Sequence, residues 1–138
     1  MKKEIKILLI SDVHLRLKNP RARTDNIEDV FRDKFKQLKN IIDDSGANYV
    51  VSGGDFMDVA KAPNEVLLFA KELVESLGVP VYEVVGNHNQ HQKSLSNHEI
   101  TSIRILEMLC DNFNILPLDN SPVILDNLLA IHPRHYGD

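Results

Sequence analysis

Cysteine is nearly missing from this chain. Cys110 stands alone, so no intramolecular disulfide can form and a disulfide-dense scaffold is excluded. Cys110 falls among Leu106 and Leu109 in an apolar helical pattern and is expected to be a simple buried thiol. Long hydrophobic runs are missing too. The apolar run from Ile7 to Ile10, bracketed by Lys6 and Asp12, is far below the roughly 20 residues of a spanning helix, and no cleavable leader is visible. A soluble, cytoplasmic chain without membrane attachment is expected. A net positive charge is absent: the formal charge is −4, so bulk electrostatics do not draw nucleic acid. Internal repeats, low-complexity tracts and interdomain linkers are absent as well. What remains is ordinary globular material, 138 residues with 43% hydrophobic content, which fits one compact domain.

Strand and helix patterns alternate along that material. Ile5 to Ile10 reads as a strand covered on both faces, being apolar almost throughout. A helix begins near Thr24 or Asp25, carries Ile27, Val30, Phe31, Leu38, Ile41 and Ile42 at helical spacing, and ends at Gly46. Tyr49 to Val51 is a second strand. Pro63 is placed to open a second helix, whose stripe runs through Val66, Leu67, Ala70, Leu73, Val74 and Leu77 to Gly78. Val81 to Val85 is a third strand, and a third helix is expected from about His98 to Cys110. Beyond Asp111 come short strand-like pieces: Phe113 to Leu118, Val123 to Leu125 and Leu128 to Ile131. Asp126-Asn127 is the expected hairpin turn between the last two. Three βα units in succession imply right-handed crossovers and an α/β fold, a mainly parallel sheet layered with helices.

A short polar cluster follows each of the first three strands: Asp12-Val13-His14, Gly53-Gly54-Asp55-Phe56-Met57-Asp58 and Gly86-Asn87-His88. Ligands of parallel sheets bind outside the carboxyl ends of the strands, where all three clusters fall. Residues two apart in an extended segment point to one side, so Asp12 and His14 can reach one ion together. Asp55, after two glycines that permit close backbone approach, can present both oxygens and bridge two ions. Asp58 could be a ligand, but a supporting role is favoured, either capping the helix that starts near Pro63 or orienting its neighbours. The Asn87 amide oxygen is a hard ligand suited to magnesium or manganese. His88 has the proton-transfer range for a leaving oxygen near neutrality. His91 and His98 have no partner at ligand spacing and are assigned surface or capping roles. Arg16, Lys18, Arg21 and Arg23 crowd the loop after the first cluster, a local basic patch able to neutralise phosphates.

The series D-x-H, G-D-x-x-D and G-N-H, each after a strand, resembles the opening motifs of the calcineurin-like metallophosphoesterases. The resemblance implies a partial calcineurin-like metallophosphoesterase sandwich, with residues 1–138 one domain lacking its carboxy-terminal part. It implies two divalent metal ions, manganese with magnesium or iron as alternatives. Asp12 and His14 would bind the first ion, Asp55 would bridge both, and Asn87 would bind the second. His88 would contact the scissile phosphate and assist the leaving group, while metal-activated hydroxide attacks in line. Two departures stand out. Asn89 occupies the place of the acid that orients the histidine. The family's later G-H-x-H is also missing, with Ile131 to His135 the one candidate stretch, containing His132 and His135. The basic loop is similar to that of the SbcD-type DNA-repair exonucleases. That branch implies DNA as substrate, with Arg16, Arg21 and Arg23 on its backbone, and an SbcC-type ATPase partner with homodimers. The alternatives are a phosphatase or phosphodiesterase for small molecules or phosphoproteins, and a truncated binding module without activity.

Overall fold

The computed structural model describes residues 3–86 and 101–135. Its elements, in chain order, are β1 (Ile7–Ile10), α1 (Ile27–Ser45), β2 (Tyr49–Ser52), α2 (Asn64–Ser76), β3 (Val81–Glu83), α3 (Ser102–Leu109), β4 (Phe113–Ile115), β5 (Val123–Leu125) and β6 (Leu129–Ile131). The first four strands form one parallel sheet in the order β1-β2-β3-β4, and β5 pairs with β6 as a separate antiparallel hairpin.

That strand order decides where the helices go. Each right-handed crossover moves one strand further in the same direction, so all three helices land on one face. They pack side by side there. Arg32 of α1 pairs with Glu72 of α2 at 2.6 Å and lies 4.9 Å over the Phe69 ring. The Ser102 hydroxyl at the start of α3 accepts the Ala62 N–H at 2.6 Å.

The strand pleat records the same asymmetry. Val50, Ser52, Val81, Glu83 and Phe113 are buried under the helices, whereas Leu9, on the opposite face, is 74% exposed. The expectation of a β1 covered on both faces is therefore corrected: continuous apolar character came from Ile and Leu on both faces, but the helices among the described residues roof only one, and Leu9 stays exposed. The open face is partly met by the hairpin, where Asp126 at the β5–β6 turn engages Tyr49, whose ring lies 6.1 Å from that of Tyr82. Under the helices the core centres on Phe56, with its ring 5.4 Å from Phe113 and 6.0 Å from Phe35, both edge-on.

Local chemistry accounts for most of the element ends. The Asn26 side chain accepts the Glu28 and Asp29 N–H groups and caps α1, and Gly46 closes it at φ 71° with its N–H on the Ile42 carbonyl. Pro63 sits one place earlier than expected, as the extended residue before α2. The β5–β6 turn works without glycine because Asp126 and Asn127 both adopt left-handed backbone, φ 50° and 56°, as a tight hairpin turn requires. The expected strand through Leu118 stops at Ile115, ahead of Pro117, and β4 joins the parallel sheet. Cys110 is buried, as anticipated, and burial pushes its thiol up to about 11. No helix among the described residues is long and apolar enough to cross a membrane.

Candidate metal centre

β1 and β2 end side by side, Ile10 against Ser52, and the two chains leaving them stay zipped. Asp12 N–H donates to the Gly54 carbonyl at 3.2 Å, His14 N–H to Asp55 at 2.9 Å and Leu15 N–H to Phe56 at 2.9 Å; Asp58 N–H returns to Leu15 at 3.3 Å. Leu15, Phe56 and Met57 are almost wholly buried and anchor this paired segment in the core. The polar residues between the anchors are held at the surface edge.

Asp12, His14 and Asp55 are brought together there. Each offers a ligand atom, and these atoms all lie within 4.8 Å of one another. The route differs from the one expected. Asp12 and His14 are not on an extended strand; β1 has ended at Ile10. Both are in left-handed backbone, φ 53° and 49°, as is Asp55 at 55°. Three non-glycine residues in that region within one site are a store of backbone strain, which aspartate and histidine tolerate better than most side chains. Convergence thus arises from tight turns locked by the inter-loop hydrogen bonds.

The surroundings orient the donors. Asp58 Oδ1 lies 3.3 Å from His14 Nδ1, which favours the tautomer protonated there and leaves Nε2, 3.7 Å from Asp12 Oδ1, facing the cluster. Asp58 is held in turn by Arg16 Nη2 at 2.5 Å. The sequence left two supporting roles open for Asp58; it faces His14 and Arg16, and α2 has no side-chain cap. Asp55 is buried at 8% exposure. Its carboxylate rests on Gly86: a Cβ at Gly86 would stand 2.1 Å from Asp55 Oδ1. Gly54, at φ 111°, meets Gly86 back to back, with an added Cβ only 3.2 Å from the Gly86 Cα. The glycines of the second and third motifs are the contact between two site loops.

Of the other expected residues, Asn87 and His88 lie outside the described residues, as do Asn89, His91, His98 and the expected start of the third helix. Arg16 braces Asp58. Arg23 pairs with Asp25 at 2.5 Å, and Arg21 is exposed. His132 is exposed, whereas His135 is buried.

Glu83 passed unremarked in the sequence, although a carboxylate inside the apolar run Val81 to Val85 was a signal. It is fully buried on the helix-covered face, opposite Ser52 in register. Neither carboxyl oxygen makes a hydrogen bond among the described residues. Burial pushes the group up to about 8, with the neighbouring Asp55 and Asp12 carboxylates raising it as well. Burial therefore favours the protonated carboxyl. A groove of about 380 Å³ opens beside Asp12, walled by Val13, Val30, Phe31, Leu38 and Ile41, with Lys34 at its edge.

The donor set, two carboxylates and an imidazole at the carboxyl edge of a parallel sheet, defines an α/β domain suited to a hard divalent cation. This chain belongs to the calcineurin-like phosphoesterase family, whose model matches residues 5–137. A solved structure described as a dimetal phosphatase from Danio rerio is similar, with 22% identity and a TM-score of 0.42 over 61% of this chain. The match spans 29% of that protein's chain. No curated protein matches.

Proposed function

We propose that this chain is part of a metal-dependent phosphodiesterase that cleaves a DNA backbone, of the SbcD exonuclease type. The observation that carries the hydrolase reading is the convergence of Asp12, His14 and Asp55 within 4.8 Å. These residues would hold a divalent ion, with Asp55 buried deepest; a second ion, held by Asp55 and Asn87, belongs to the same proposal. An ion bound there supplies Lewis-acid polarisation of a phosphoryl oxygen. The chain's own part is orientation. Arg16 fixes Asp58, Asp58 fixes the His14 ring, and the zipped loops fix all three donors before any ligand arrives. His88 is assigned the leaving-group proton, and manganese is the ion proposed.

The DNA assignment rests on the exposed cations Lys18 and Arg21 of the loop after the first motif. An SbcC-type ATPase partner and a homodimer belong to the same proposal. A second reading, a hydrolase of small organic phosphoesters, is favoured by two observations. Arg16 and Arg23 are already paired to carboxylates, and the apolar groove beside Asp12 would receive an organic ester group.

Hydrolysis of duplex and single-stranded DNA, set beside bis-p-nitrophenyl phosphate in manganese over a range of salt, decides between them. The nuclease reading expects DNA cleavage that weakens with salt. Turnover of the small ester alone leaves the second reading. Absence of manganese uptake, measured by calorimetry, overturns both.

A further inference from the structure

His135 is separated from Asp55 by 80 positions of sequence, yet its ring completes the strand that leads into the third motif. β3 and β4 run parallel, with Val81 N–H on the Asn112 carbonyl at 2.7 Å and Leu116 N–H on the Glu83 carbonyl at 2.9 Å. The next rung would take Val85 N–H to the β4 side. By then β4 has ended at Ile115, and the chain has turned into Pro117. Val85 N–H donates instead to His135 Nδ1 at 3.0 Å. An accepting Nδ1 carries no proton, so Nε2 carries it and donates to the Pro117 carbonyl at 2.8 Å. One neutral imidazole, 4% exposed, stands in for a missing rung of the sheet. Both its ring nitrogens are spent on backbone, so His135 is not a stand-in for the family's later histidine ligands.

We propose that His135 is a positioning residue for the metal centre, acting through Val85 and Gly86 on the Asp55 carboxylate. The proposal rests on the reading of the site as a metal centre. Its physical basis is the contact behind Asp55. The carboxylate lies so close to Gly86 that not even a Cβ fits between them, and Gly86 follows Val85 directly. Fixing the Val85 amide therefore fixes the wall against which the bridging ligand rests. Releasing it lets that wall shift, and the donor distances shift with it.

The test uses the full chain and Mn2+ alone as probe, by titration calorimetry, with thermal melting and amide exchange alongside. His135→Asn keeps an acceptor near the Nδ1 position, for Val85. His135→Gln keeps a donor near the Nε2 position, for Pro117, and loses the acceptor. His135→Phe keeps the ring volume only. The expected result is Mn2+ affinity near the parent's in His135→Asn and about tenfold weaker in His135→Gln and His135→Phe, the usual loss for an outer-sphere partner. Equal affinity in all four proteins overturns the proposal. So does affinity that follows melting temperature regardless of which hydrogen bond is kept, because that marks a merely structural residue. If the parent takes up no Mn2+, the metal reading fails separately, and exchange at the Val85 amide then decides. Slow exchange in the parent and His135→Asn with fast exchange in His135→Gln upholds the clamp, and fast exchange throughout removes it.

Discussion

Helix α1 and the loops bearing Asp12, His14 and Asp55 sit next to each other and follow opposite local rules. In α1 every device agrees with the fold: an asparagine cap, acids in the first turn, and a glycine where left-handed backbone ends the helix. At the loops, three non-glycine residues occupy that same left-handed region, and two carboxylates and an imidazole crowd within 4.8 Å. The helix is held by its own sequence. The loops are held by their neighbours: the buried anchors Leu15, Phe56 and Met57, and the hydrogen bonds between the two chains. Strain of this kind persists only where surrounding structure over-determines it. The comparison teaches that the core stabilises the fold and that part of this stability is spent on shaping the site.

The sharpest attempt to separate the two regions removes a core ring. Phe113→Ala deletes a side chain that is 1% exposed and packed on Phe56. A loss of about 3 to 5 kcal/mol is expected in denaturant unfolding, with Mn2+ affinity intact in the fraction that stays folded. An affinity that falls with stability would erase the distinction.

Glu83 tests the border between the regions through pH. Its folded value, about 8, lies above the ordinary 4.5. Between those values the folded chain holds a proton that the unfolded chain has released. The resulting stability is complete below about pH 4.5 and is lost as pH climbs towards 8. Glu83→Gln, which cannot ionise, should flatten that fall and exceed the parent by a few kcal/mol above pH 8 in urea unfolding followed across pH. Parallel pH curves for the two proteins would contradict the buried neutral acid.

Asp58→Asn touches the site alone. It removes the charge facing His14 Nδ1 and Arg16, and Mn2+ affinity should drop about 10- to 100-fold with little change in melting temperature. An unchanged affinity would mean that the His14 ring is held by other contacts. Asp12→Gly acts on the strained turn and on the donor set at once. Relief of left-handed strain at φ 53° should raise stability by about 1 kcal/mol while weakening Mn2+ uptake. A loss of stability there would show that the strain is already compensated by the Asp12 side chain.

Much of this was legible beforehand. The apolar periodicity located α1, α2 and the parallel strands within a few residues, since burial of one stripe or one pleat face leaves a period in the chain. The motif order brought out Asp12, His14 and Asp55, whereas the role of Asp58 was left open between ligand, cap and orienting residue. Leu9 was misread because a pleat shows which residues alternate but not whether a layer lies on each side. Glu83 and His135 were missed because their significance depends on what faces them across the sheet.

The chain by itself determined its helices, its caps and the identities of its donors, because those depend on residues within a few positions of one another. Only the tertiary structure decided that the described helices share one sheet face, that left-handed turns aim the donors, and that a histidine at position 135 completes the strand beneath Asp55. Those outcomes depend on contacts between segments brought side by side in folding, and no local pattern encodes a neighbour that arrives from 40 or 50 residues away.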